Sequence, residues 1–272
     1  MAPTIPRAVA ASAGRGSMAA MAWQGLVIGV AAGVFGGIGG LGGGVVMVPL
    51  LAVWLRLSQH RAHGTSLVAV VLTGLVGAVP YALHGAVAWR LAVALAAASI
   101  LGASLAAGLS PRVPAFALRR VFGVLVLLTG ASLPFDGLLP AHAIAGHWAL
   151  PAGLATGLVA GGVSGLLGVG GGSVMVPMLV LLFGFAQHLA QGTSLAVMVP
   201  AALAGSVQHL RHGHVDGRVA PLLALGVAGG AYLGGRVALA LPDQTLRWVF
   251  AALLLATGAR YVWTSRPRRA QA

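Results

Sequence analysis

Two glycine triplets, Gly42-Gly43-Gly44 and Gly170-Gly171-Gly172, are the residues of this 272-residue chain whose type and spacing point most directly to chemistry. Glycine adopts backbone angles that open a helix, and an opened helix exposes amide N–H groups. Each triplet leads into an apolar run, VVMVPLL or SVMVPML, so the first amides of a new half-helix face the break. Amides so placed carry partial positive charge and attract anions. A second polar cluster follows each triplet: Gln59-His60 with Gly64-Thr65-Ser66, and Gln187-His188 with Gly192-Thr193-Ser194. The hydroxyls of Thr65, Ser66, Thr193 and Ser194 can cap the next helix, extend an anion site, or do both, and Gln59, His60, Gln187 and His188 are further polar groups able to donate or to carry a coupling proton.

Other chemistries fit less well. The acidic residues are Asp136, Asp216 and Asp243, all in predicted loops, so no transmembrane carboxylate is available to hold Na⁺ or relay protons. A driving proton would use a histidine such as His60, His84, His188 or His212. His209, His212 and His214 lie near Asp216, but loop histidines without fixed geometry are solvated more often than metal-bound, and no metal is expected. Cysteine is absent, which removes disulfides, thiolate metal sites and cysteine nucleophiles. Gly37 to Gly42 fits the dinucleotide pattern GxGxxG, yet it lies in an apolar segment with no acidic residue before Asp136. No nucleophile–base order or paired carboxylates recur in both clusters, so neither an enzyme nor a cofactor is expected.

The elements that position these residues come in two copies. Residues 33–130 align on residues 161–258 at a constant offset of 128 without a gap. Over the densest stretch, Gly42 to Leu67 against Gly170 to Leu195, 15 of 26 positions are identical. The register persists through His84/His212, Arg90/Arg218, Arg119/Arg247 and Phe122/Phe250. Hydrophobic residues make up 58% of the chain and charged residues 7%, far from the roughly 25% charged of soluble domains. Mean hydropathy is +0.96. The bilayer therefore sets the architecture, and the formal charge of +13, carried by sixteen arginines lying mostly between apolar segments, reflects topology rather than nucleic-acid binding.

Apolar segments near the ~20 residues that a spanning helix needs fall at about 65–83, 90–110 and 116–134, and again at about 193–211, 218–240 and 246–263. Trp23 to Leu57 is too long for one span, and the glycines with Pro49, matched by Pro177, predict a hairpin of two short helices, spanning or re-entrant. Five segments per half place 13 of 16 arginines on one side, whereas four would split them nine to seven. An odd number turns the second copy upside down. The expected fold is an all-α integral membrane protein of two inverted five-segment repeats, about eight full spans plus two Gly-broken hairpins. Its parts are an N-terminal cytoplasmic arm at 1–20, a first repeat at 21–134, a linker at 135–148, a second repeat at 149–263 and a basic tail at 264–272. Isolated glycines such as Gly153, Gly157, Gly161, Gly165, Gly226, Gly230 and Gly234 read as packing seams.

The lines GIGGLGGGVVMVPLL with HGTSL and GLLGVGGGSVMVPML with QGTSL resemble the TauE/SafE family of membrane permeases, over roughly residues 25–260. The second half departs from the pattern where Ser164 and Leu167 replace Gly36 and Gly39. The resemblance implies export of sulfite, sulfoacetate or a related organosulfonate; the expected location is a bacterial inner membrane, and the arginine count puts both termini on the cytoplasmic side. The expected partners are a small anion, the lipid bilayer and, as one option, a second copy in a homodimer. Alternative readings are an anion channel and a membrane scaffold that transports nothing alone.

Overall fold

The computed structural model describes residues 7–109, 146–167 and 170–264, together with isolated positions between 120 and 144. Most of the expected segment at 116–134, most of the linker and most of the basic tail lie outside the described residues, as do the side chains of residues 7–20 and of Gln59. The described residues form helices and turns with no strand. The α-helices are α1 (Arg7–Gly39), α2 (Gly44–Val53), α3 (Gln59–Leu83), α4 (Trp89–Leu109), α5 (Ala149–Leu167), α6 (Gly172–Phe183), α7 (Gln187–Arg211), α8 (Ala220–Ala240) and α9 (Asp243–Thr264). Five stretches among them are long and apolar enough to cross a bilayer: Met21–Gly39, His60–Leu83, Trp89–Ala106, Gln187–Arg211 and Ala220–Ala240. The chain is a multi-pass membrane protein. Helix α1 starts at Arg7, within the residues read as an arm, and its membrane-length apolar part starts at Met21.

Helices α2 and α6 have only 10 and 12 residues, about 15–18 Å at 1.5 Å per residue, roughly half of the ~30 Å hydrocarbon core. They therefore do not reach across. Glycine alone makes both breaks. Pro49 and Pro177, expected to help interrupt the chain, sit inside α2 and α6, where each removes one helical hydrogen bond without ending the helix.

Small residues decide how the long helices meet. Along α1, Cβ atoms added at Gly29, Gly33 and Gly37 would collide with the carbonyls of Leu223, Val227 and Ala231, and along α8 those at Gly226, Gly230 and Gly234 would collide with Leu26, Val30 and Val34. Both series of numbers rise together, so α1 and α8 run parallel in a close backbone seam. Helices α4 and α5 do the same, with Gly157, Gly161 and Gly165 against the carbonyls of Leu95, Ser99 and Ala103. Between these seams α3 crosses α7 in the opposite sense, Leu67 meeting Gly205 and Gly74 meeting Leu195 and Val199. The short helices α2 and α6 pack against α3 and α7 respectively.

Candidate functional site

The glycine tips are built from left-handed backbone. Gly42 and Gly43 have φ of 74° and 71°, and their repeat partners Gly170 and Gly171 have 93° and 71°. Gly43 and Gly171 are the N-caps of α2 and α6. A side chain at either would be strained by about 1–2 kcal/mol from the backbone angle alone and would also press on the Ala32 or Ala160 carbonyl. The sequence therefore needs glycine here for two independent reasons.

The two tips meet. A Cβ on Gly42 or on Gly170 would touch the same two side chains, Val70 Cγ1 and Met198 Cε, and Gly172 lies against Gly40 and Leu41. Val70 and Met198 are partners at the offset of 128, near the middle of α3 and of α7. The breaks thus converge at about half the depth of the two central helices. In the first turn of α2, the amides of Val46 and Met47 turn back to Gly43 O; in α6 those of Val174 and Met175 turn back to Gly171 O. The amides of Gly44, Val45 and Ser173 have no acceptor among the described residues.

Hydroxyls and amides surround the tips. Ser194 Oγ donates to Gly40 O at 3.0 Å. Ser66 and Ser173 are buried, and their hydroxyls meet no partner among the described residues. The carbonyl that would match Gly40's for Ser66 belongs to Gly168, outside those residues. Gln191 packs against Gly40. The Tyr81 hydroxyl donates to Gly37 O at 2.8 Å and lies 3.1 Å from Gln191 Oε1. One proton serves one acceptor well, so the Gln191 amide turned over gives a chain in which its NH₂ donates to Tyr81 and Tyr81 donates to Gly37. Buried charge is scarce: among the described residues only Asp216 qualifies, in the turn after α7, 3.6 Å from Arg61.

Thr65 and Thr193 are not helix caps. Helices α3 and α7 begin six residues earlier than Thr65 and Thr193, at Gln59 and Gln187, with Ser58 and Ala186 as their N-caps. Each Gly-Thr pair instead grips a loop of the other half. Asp216 N donates to Thr65 Oγ1 at 2.9 Å, and Ala88 N donates to Thr193 Oγ1 at 3.0 Å. Gly64 admits the His214 carbonyl and Gly192 admits that of Ala86. Residues 86 and 88 are the repeat partners of 214 and 216, so the same staple occurs twice, reciprocally.

The remaining candidates sit away from the tips. Gln187 is the first residue of α7, seven before Ser194 or about 10 Å along the axis, and its backbone N–H donates to Asp243 Oδ1 at 2.9 Å. His188 lies 3.2 Å from Asp243 and 3.1 Å from Ala238 O, tying α7 to α8 and α9. His60 stacks on His214, with ring centroids 5.4 Å apart. Among the described residues no group of His, Cys, Asp and Glu is arranged to hold a metal. Gln191, Tyr81, Val70 and Met198 escaped the sequence reading. The register could have flagged Gln191, because position 191 pairs with His63, a polar residue one turn before each Thr-Ser.

Comparison with known proteins points to membrane transporters. A family model described as sulfite exporter TauE/SafE matches residues 6–133 and 152–272. The chain is similar to the probable membrane transporter protein YunE of Bacillus subtilis, 29% identical over 88% of this chain and 96% of that one. It is 29% identical to a probable membrane transporter protein of Xylella fastidiosa, over 89% and 94%, and 26% identical to the probable membrane transporter protein YjnA of Bacillus subtilis, over 87% and 98%. No solved structure matches the chain.

Proposed function

The chain belongs to the TauE/SafE family of membrane transporters, and from that premise we propose that it exports a small oxyanion, sulfite, sulfoacetate or a related organosulfonate, across a bacterial inner membrane by alternating access. The observation that carries this reading is the meeting of two left-handed glycine tips halfway along α3 and α7. Their first-turn amides and the unpartnered hydroxyls of Ser66 and Ser173 form a neutral, donor-rich locus, which Ser194 joins when its hydroxyl turns from Gly40 O. An oxyanion gains hydrogen bonds there, whereas a cation would find no carboxylate. Substrate contact thus rests on Gly42–Gly44, Gly170–Gly172, Ser66 and Ser194, while Thr65 and Thr193 act one step back by holding the loops around them. Transport without covalent chemistry is the activity proposed.

Two further features support inversion of the halves. Equivalent helices α3 and α7 cross antiparallel, and the Thr staples are exchanged reciprocally between halves. Inverted halves rocking about a central site are the plan by which one fold presents two alternating openings. On the arginine count, Arg56, Arg61 and Arg211 face the cytoplasm, as do both termini.

The test is flux through purified protein in proteoliposomes loaded with sulfite, sulfoacetate or thiosulfate. Saturable release is expected, falling at least tenfold in Gly43→Ala and Gly171→Ala, each of which strains a left-handed cap by about 1–2 kcal/mol. A channel would show no saturation. Failure of every anion in a broad panel, with the native protein folded, would overturn the transport reading in favour of a scaffold.

A further inference from the structure

The two halves are alike in sequence but not in how tightly they close. A narrow, partly open cleft lies toward the end of α7, lined by Leu67, Ala103, Ser164, Ala204, Gly205 and His209 among others. It runs toward the second tip, since Ser164 packs on Gly171. The positions related to these by the offset of 128 are Leu195, Ala231, Gly36, Val76, Gly77 and Tyr81. Of these, Tyr81 and Leu195 are wholly buried in one apolar cluster with Ala78, Val87, Ala238 and Leu246. A Cβ on Gly77 would lie 3.4 Å from Ala231 Cβ and 3.5 Å from Leu195, whereas one on Gly205 would meet only Leu67. Helix α3 thus packs more extensively on α8 than the equivalent helix α7 packs on α4.

Tyr81 occupies the place that His209 holds on the open side. Its side chain is wholly buried among Ala78, Val87, Leu195, Ala238 and Leu246. Its hydroxyl is anchored to Gly37 beside the first tip and to Gln191. His209 is partly exposed and lines the opening.

Resting on the transport reading above, we propose that the cleft past His209 and Ala204 is the substrate's path to the glycine tips from the arginine-rich face, and that Tyr81 is the gate that plugs the equivalent path from the opposite face. Opening that face requires the Tyr81 hydroxyl to leave Gly37 and Gln191 and α3 to move off α8. The closed arrangement is one of two states of a pseudo-symmetric molecule, and a hydrogen bond made in only one of them biases the balance.

The chain has no cysteine, so single thiols report without background. Ala204→Cys in the cleft and Val76→Cys at its repeat partner on α3, both half-buried positions, are reconstituted and exposed to a membrane-impermeant maleimide from each face, with no substrate present. Ala204→Cys is expected to react from the arginine-rich face and Val76→Cys to react at least tenfold more slowly from the other. Adding Tyr81→Phe, which keeps the ring, removes one net-favourable hydrogen bond and is expected to speed Val76→Cys by about three- to tenfold and slow Ala204→Cys. Gln191→Leu, which removes the second partner, is expected to act in the same direction and serves if Tyr81→Phe does not fold. Equal native rates at the two thiols, or a Val76→Cys rate unmoved by a folded variant, would overturn the gate. Because labelling needs no substrate, an absence of anion flux alongside the expected labelling would strike only the transport reading.

Discussion

At the scale of single residues, the Gly-Thr-Ser triplets show how one motif divides its labour. Ser194 reaches the glycine tip, yet Thr65 and Thr193 spend their oxygens on loop amides of the opposite half. Thr65→Val keeps shape and removes the acceptor, leaving the buried Asp216 amide unpaired at a cost of about 1–3 kcal/mol. A lower melting temperature in detergent is expected, with Thr65→Ser restoring most of it. Were Thr65 a direct substrate ligand instead, Thr65→Val would raise the KM for the anion without moving the melting temperature. The serine and the threonine are neighbours in sequence, and only their directions on a helix that starts at Gln59 assign them different partners.

At the scale of elements, the backbone seams between α1 and α8 and between α4 and α5 hold the broken helices at their depth. The seam glycines were legible as small-residue stripes, but which helix each stripe faces was not, because every long helix here is apolar on several sides. Gly161→Val would drive a side chain into the Ser99 carbonyl and is expected to cost about 1–3 kcal/mol or more, read as loss of folded, detergent-extractable protein. Gly229 lies on α8 with nothing within 4 Å of an added Cβ. Gly229→Ala is therefore expected to be neutral or stabilising by about 0.5–1 kcal/mol, the helical glycine penalty. Equal damage from both substitutions would refute the seam assignment. The helix starts at Gln59 and Gln187 were missed because the apolar runs begin only after Ser66 and Ser194; Gly64 and Gly192 lie inside the helices where another backbone must approach.

For the whole molecule, inversion makes a prediction about faces. Trp89 and Gly217 are repeat partners at the offset of 128, both exposed beside the turn that precedes a spanning helix. Inverted halves put them on opposite sides of the membrane; parallel halves put them on the same side. Trp89→Cys and Gly217→Cys are expected to react with an impermeant thiol reagent from opposite faces, Gly217→Cys from the face bearing Arg61. Labelling of both from one face would overturn the inverted plan.

The sequence by itself determined that the chain lives in a membrane, that it is two copies of one unit and that each copy breaks at a glycine triplet. Hydropathy, a constant register and glycine's backbone freedom are local properties, readable along a line. Only the tertiary structure decided that the two breaks touch across Val70 and Met198, that the threonines at matching register staple opposite halves, and that Tyr81 is wholly buried where its partner His209 lines a cleft. Those are contacts between residues far apart in sequence, 151 positions for Thr65 and Asp216 and 105 for Ala88 and Thr193. They follow from how closely glycine lets helices approach, and the periodicity of one segment carries no information about which other segment will come to meet it.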